Sequence, residues 1–190
     1  MALFPSLPET PHLADVFKSF PEHVRPLLAY HDALLRGESP LTVAERELIA
    51  AFVSGLNACH FCFGAHKLYA RAFGIDESVI DTLIDDIEHA AVDVKVKPIL
   101  RYVAKLKHLP TELTPADAQA VYDAGWSERA LFDAIQVAAL FSFMNRIIEG
   151  TGVTFDYADH PVSEQEIEAR RTRTYSDFAD IIGIASGSKP

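Results

Sequence analysis

Apolar side chains recur at three- and four-residue intervals along almost the whole of this 190-residue chain, and that period restricts it to packed helices. Capping and stop residues fall where the period demands them, and strand-like alternation is almost absent. Thr10 can cap a short helix carrying Leu13, Val16, Phe17 and Phe20. A second helix runs from about Glu22 to Arg36 and stops at Gly37. Thr42 and Glu45 form a capping box for a third, which buries Leu48, Ile49, Phe52 and Val53 and should end near Ser54-Gly55. Asn57 is the expected cap of a fourth helix, closing at Gly74, and Asp76 starts a fifth. Val92 to Val96 alternates like a strand but is short and meets Pro98, so it reads as a loop before a helix reaching about Lys107. Thr114-Pro115 opens a further helix that Gly125 closes, and Ser127 caps a long apolar one from Glu128 to Glu149. A final helix with Ser163 and Glu166 as its capping box fades into the Gly-Ser-Lys-Pro tail, expected to be frayed or tied to a partner.

The fold class expected is therefore all-α, a single domain over 1–190. Its parts are an N-terminal helical extension (1–40), a half with both cysteines (41–110), a second helical half (111–160), and a C-terminal helix and tail (161–190). Glu45-Arg46-Glu47-Leu48 and Glu128-Arg129-Ala130-Leu131 open two apolar segments, and the same offset sets Cys59 against Ser142 and Cys62 against Asn145. An internal pseudo-repeat and chance similarity explain this echo equally well.

Charge and hydropathy narrow the partners. The most apolar stretch, Ala134 to Met144, is interrupted by Gln136 and Ser142 and falls short of the roughly 20 residues that cross a bilayer. No membrane span is expected. The N-terminus lacks the basic start and apolar block of a secretory signal, so the expected location is the cytoplasm. With 27 acidic against 17 basic residues, the chain has no broad footprint for nucleic acid or an anionic membrane. The knot of Arg170, Arg171 and Arg173 reads as a solvated helix face.

Only two cysteines are present, Cys59 and Cys62, as Cys-His-Phe-Cys. In a cytoplasmic protein such a pair points to redox or metal chemistry, because cellular thiols keep ordinary disulfides reduced. On a helix, positions 59, 62 and 66 fall within about 60° of arc, which puts both sulfurs and the His66 imidazole on one face. An imidazole one turn from Cys62 and a helix N-terminus both favour a thiolate, the form that attacks a peroxide or a disulfide. Glu47, twelve residues before Cys59, could accept a proton, although periodicity alone places it at the surface. Phe61, Phe63, Tyr69, Phe141 and Phe143 are candidates for the approach to Cys62, or simply core.

The runs Leu41 to Ala50 and Ser54 to His66 resemble the E-x11-C-x-x-C-x-x-x-H motif of alkylhydroperoxidase D (AhpD), with Glu47, Cys59, Cys62 and His66 at its four positions. AhpD belongs to the carboxymuconolactone decarboxylase-like superfamily, and the layout is most similar to its "peroxidase-related" subgroup. Leu140 to Arg146 and Gly150 to Val153 extend the similarity over most of the chain. The resemblance implies an all-helical fold, assembly into dimers, trimers or hexamers, and a peroxidase cycle without haem, flavin or metal. It further implies that Cys62 attacks, Cys59 resolves the disulfide, and Glu47 and His66 relay protons. AhpD itself has a histidine just before its second cysteine; here Phe61 stands there and His60 one place earlier.

The function expected is thus thiol-dependent reduction of a hydroperoxide, with a separate dithiol of lipoyl or thioredoxin type restoring the pair and no cofactor motif visible. One rival is a metal site built from Cys59, Cys62, His66 and His60. Another is a non-catalytic helical oligomer that senses oxidation. A thioredoxin-like fold fits less well, because its motif follows a strand and this one follows a helix.

Overall fold

The ends of α3 and α4 set the architecture, and the remaining helices pack around them. The computed structural model describes residues 3–109 and 111–185; the expected Gly-Ser-Lys-Pro tail lies outside them. In chain order the helices are α1 (Leu13–Ser19), α2 (Val24–Leu35), α3 (Val43–Leu56), α4 (His60–Ala72), α5 (Glu77–Asp85), α6 (Lys97–Lys105), α7 (Pro115–Asp123), α8 (Glu128–Thr151), α9 (Glu164–Ala169) and α10 (Tyr175–Ile181). No strand occurs among the described residues, and Val92 to Val96 is a loop and turn as expected.

Most boundaries follow local capping chemistry. Thr42 and Glu45, Thr114 and Asp117, and Ser163 and Glu166 form capping boxes at the heads of α3, α7 and α9. Gly125 and Gly152 take positive φ after α7 and α8, where a side chain would be strained. Three expectations need correction. Helix α1 is capped by His12 rather than Thr10, because His12 and Asp15 exchange hydrogen bonds with each other's backbone N–H region. Asn57 ends α3 instead of starting α4; its side chain donates to Asn145, which leaves Cys59 as the residue flanking α4. The single C-terminal helix is two, since the Thr174 and Asp177 capping box restarts the chain as α10 in a new direction.

Buried α3 lies against α4, α8, α5 and α6, with Leu48 to Val53 hidden from solvent. Helix α8 is long and apolar enough to cross a membrane by length alone, yet 56% of that window is buried inside the protein. Its buried face includes Asp133 and Asn145, which suits a core helix rather than a lipid-facing one. The pseudo-repeat expectation meets one difference: α3 breaks before Cys59, whereas α8 continues unbroken through Ser142 and Asn145.

Helix α10 returns to α2 and is fastened at both ends. Asp32 accepts from the Tyr175 and Ser176 backbone N–H groups at 2.5 and 2.9 Å, supplying from another helix the anion that a helix N-terminus favours. At the other end Arg25 donates to Asp180 at 2.6 Å and to the Ile184 and Ala185 carbonyls. Between α8 and α9 a single 3-10 turn, Tyr157–Asp159, packs on α4 at Gly64. A Cβ on Gly64 would lie 2.8 Å from the Tyr157 Cβ, which is fixed to its backbone, whereas one on Gly55 would meet the Ile84 side chain, whose tip can turn aside, and the edge of the Phe63 ring at 3.1 Å. Gly64→Ala should therefore lower stability by about 1–3 kcal/mol and Gly55→Ala by less, a ranking that urea unfolding of the two variants can check.

Candidate active site

Glu47 is fully buried on α3, against the expectation from periodicity that it lies at the surface. Three donors from three other helices make this burial tolerable. His66 on α4 holds Oε2 through Nδ1 at 2.6 Å; Arg36, just after α2, donates to Oε1 at 2.6 Å; the Tyr175 hydroxyl on α10 donates to Oε1 at 2.8 Å. Burial pushes the Glu47 carboxyl up, but the His66 and Arg36 charges and hydrogen bonds outweigh it, so the group titrates below the ordinary carboxylate range. As an ionised carboxylate only accepts, Nδ1 of His66 carries a proton and Nε2 is left for the cavity side of the ring.

Arg36 is held as unusually as its partner. Its guanidinium carbon lies 5.0 Å from the Tyr175 ring centroid and 5.3 Å from those of Tyr69 and Phe73. Nε and Nη2 have no hydrogen-bond partner among the described residues, so ring faces take the place of acceptors. Burial of Tyr175 and its closeness to Glu47 push the phenol far up, which keeps it a donor. Burial likewise raises Tyr69, to about 12.

The cysteines sit at the turn between α3 and α4. Ala58 takes a left-handed φ of 55°, and the Cys59 N–H reaches back to the Ser54 carbonyl at 3.0 Å. Cys59 therefore stands at the head of α4 rather than inside it, and Cys62 lies in the first turn. Both are free thiols and buried. A hydrogen bond from the Cys62 thiol lowers Cys59, helped by the Cys62 backbone N–H against the effect of burial. The same contact, with burial, raises Cys62, so Cys59 is the more easily ionised of the two. Asn145 from α8 donates to Cys62 and, through Nδ2, to Ser54 Oγ at 3.1 Å; its Oδ1 accepts from Asn57 at 2.9 Å.

Cys62 and His66 line one cavity of about 160 Å³, together with Phe61, Tyr69, Phe141 and Tyr175. Cys59 is fully buried and instead lies against a separate groove beside Phe63, Asp81 and Asp85. Of the aromatic residues expected near Cys62, Phe63 is thus on the other side and Phe143 is half-exposed on α8. His60 is exposed and 3.9 Å from Asp156, away from the cluster. Arg170, Arg171 and Arg173 occupy the end of α9 and the turn after it; Arg173 stands at the cavity wall. Among the described residues no three His, Cys, Asp or Glu side chains converge as a metal would require.

Sequence reasoning found the Glu47, Cys59, Cys62 and His66 set and missed Arg36, Tyr175, Asn145 and His31. His31 is 3% exposed in the same cavity. The Thr174 and Asp177 box was the one readable sign that a second C-terminal helix could bring Tyr175 inward.

Residues 21–97 match the carboxymuconolactone decarboxylase family model. The crystal structure of an uncharacterized peroxidase-related protein from Silicibacter sp. TM1040 is similar at 26% identity and a TM-score of 0.69, covering 78% of this chain and 77% of that one. The alkylhydroperoxidase AhpD core structure of an uncharacterized peroxidase-related protein from Ralstonia eutropha JMP134 gives 25% identity and 0.69, over 81% and 77%. Over residues 21–97 the chain is thus similar to the carboxymuconolactone decarboxylase family, and its fold is similar to that of AhpD-like structures. An Agrobacterium tumefaciens protein of unknown function, linked by its description to AhpD and antioxidant defence, shares the fold at 20% identity and a TM-score of 0.63, over 78% and 97%. No curated protein matches the sequence.

Two outcomes follow for this site. Glu47→Gln leaves the Arg36 guanidinium buried without its counter-charge and should cost about 3–5 kcal/mol; Tyr175→Phe, which leaves two donors in place, should cost about 1–2 kcal/mol in the same denaturant titration. Burial pushes His31 down to about 4. Its folded value lies below its unfolded one, so its stabilisation is complete above about pH 6.5 and is lost as pH falls towards 4. The loss should reach about 3 kcal/mol at most, and the unfolding free energy of His31→Gln should be correspondingly less steep across that interval.

Proposed function

We propose that this protein is a thiol peroxidase that reduces hydroperoxides through a Cys59 and Cys62 dithiol cycle. The observation that carries the reading is the placement of Cys62 on an apolar cavity beside His66, with Nδ1 of that imidazole tied to the buried Glu47. A family-level peroxidase-related role agrees with it.

The resting Cys59 thiolate takes the Cys62 proton, and the Cys62 sulfur attacks the terminal oxygen of the hydroperoxide. An S–O bond forms, the O–O bond breaks, and the alkoxide leaves as alcohol with a proton delivered through His66. Cys62 is then a sulfenic acid. The Cys59 sulfur attacks it, the S–S bond forms, the S–O bond breaks, and hydroxide departs as water with the Cys59 proton. One hydroperoxide is reduced and two thiols are oxidised. Arg36 and Tyr175 keep Glu47 anionic, so it orients His66 and does not itself carry the proton. Reduction of the disulfide falls to an external dithiol of lipoyl or thioredoxin type. Homo-oligomeric assembly as a dimer, trimer or hexamer and a cytoplasmic location complete the proposal.

A Cys2His metal site is less well supported, because among the described residues no three His, Cys, Asp or Glu side chains converge. A sensor without turnover would form the disulfide once and stop. Consumption of cumene hydroperoxide with excess dithiothreitol separates the readings: Cys62→Ser should abolish it, and Cys59→Ser should halt after a sulfenic acid at Cys62 that dimedone traps. Sulfenic acid trapped at Cys59 in Cys62→Ser, with turnover intact, would reverse the assignment of roles.

A further inference from the structure

The cavity beside Cys62 contains a polar group that neither the fold nor the cycle above employs. His31 lies on α2, and its Nδ1 is 2.8 Å from the Leu27 carbonyl one turn earlier. A carbonyl only accepts, so Nδ1 bears the proton and Nε2 bears a lone pair. Burial keeps the ring neutral, since its pKa is pushed down to about 4. Among the described residues Nε2 has no hydrogen-bond partner. The sealed side-chain nitrogens without partners are those of Arg36, whereas His31 lines the cavity that Cys62 and His66 share. An acceptor that borders a cavity instead of a protein donor can take a hydrogen bond from a ligand hydroxyl.

The ring is also well fixed. It stands edge-on to Phe141 at 5.9 Å and 87°, and lies 5.2 Å from Tyr175; the same two rings flank His66 at 4.2 and 6.3 Å. Around these imidazoles the wall is Phe17, Leu28, Phe141 and Met144. The volume, about 160 Å³, is comparable to cavities of about 150 Å³ that hold benzene. An apolar body of phenyl or branched-butyl size fits it, and its polar end would meet the nitrogen lone pair of His31 beside the thiol.

We propose that His31 is a substrate-binding residue whose Nε2 accepts the O–H of a neutral organic hydroperoxide with a compact apolar body, holding the terminal oxygen towards Cys62. The identity of the ligand rests on the peroxidase reading; the existence of a hydroxyl-accepting apolar site does not.

Calorimetry on the reduced full chain tests the site without turnover. The probe is 2-phenyl-2-propanol, which keeps the apolar body and the O–H but has no O–O bond; its methyl ether lacks the donor. The alcohol should bind about three- to tenfold more tightly than the ether, the worth of one hydrogen bond. His31→Leu should erase that preference, and His31→Gln, whose amide can donate to Leu27 and accept from the ligand, should retain most of it. Equal binding of alcohol and ether by the native protein overturns the proposal, as does a folded His31→Leu variant that still discriminates. The native comparison stands even where a variant fails to fold. A protein that prefers the alcohol but consumes no hydroperoxide overturns the peroxidase reading alone; one that turns over without preferring the alcohol overturns the role of His31 alone.

Discussion

The structure is organised around the burial of one carboxylate. Removing Glu47 from water without compensation would be prohibitive, and no single neighbouring helix can supply enough donors. Its partners come from the end of α2, from α4 and from α10, so α2, α4 and α10 must all converge on α3 before the charge is satisfied. That requirement fixes the His66 ring on the cavity it shares with Cys62. It also explains why Arg36 sits among aromatic rings: the guanidinium is needed inside the protein, and ring faces are the surroundings that accept it with few further hydrogen bonds.

The thiols obey a second constraint, set by the break between α3 and α4. A continuous helix would place Cys59 on the same face as Cys62, with its backbone groups consumed by helical bonding. The left-handed turn at Ala58 instead puts Cys59 at the head of α4, where it is the more easily ionised of the two thiols. The two cysteines border different cavities. Asn145 bridges Cys62 and Ser54 across the α3 and α8 contact, so the geometry of the pair depends on a helix that carries no cysteine.

What could be read from the chain follows from how local the physics is. Helix positions and most stops were legible because caps and periodicity act over a few residues; Thr42, Thr114 and Ser127 show this. Cys59, Cys62 and His66 announced themselves through spacing. Glu47 did not look buried, because a carboxylate inside a protein is tolerated only by partners distant in sequence: Tyr175 is 128 residues away and invisible to any local pattern. Asn57 has the side chain of a helix cap, yet pairing with Asn145, 88 residues on, accompanies its place at the end of α3. His31 reads as one more residue on an amphipathic helix; only the cavity distinguishes it.

The fastening of α10 to α2 has a temporal consequence. Glu47, both cysteines and His66 leave the ribosome well before Tyr175, and at about 5–20 residues per second the interval is several seconds or more. During that time the carboxylate lacks one donor, the cavity lacks a wall, and the thiols have no roof over the side that α10 will cover. Until α10 emerges the chamber around Cys62 stays half-built, and the helix that closes it is made long after the thiols it covers.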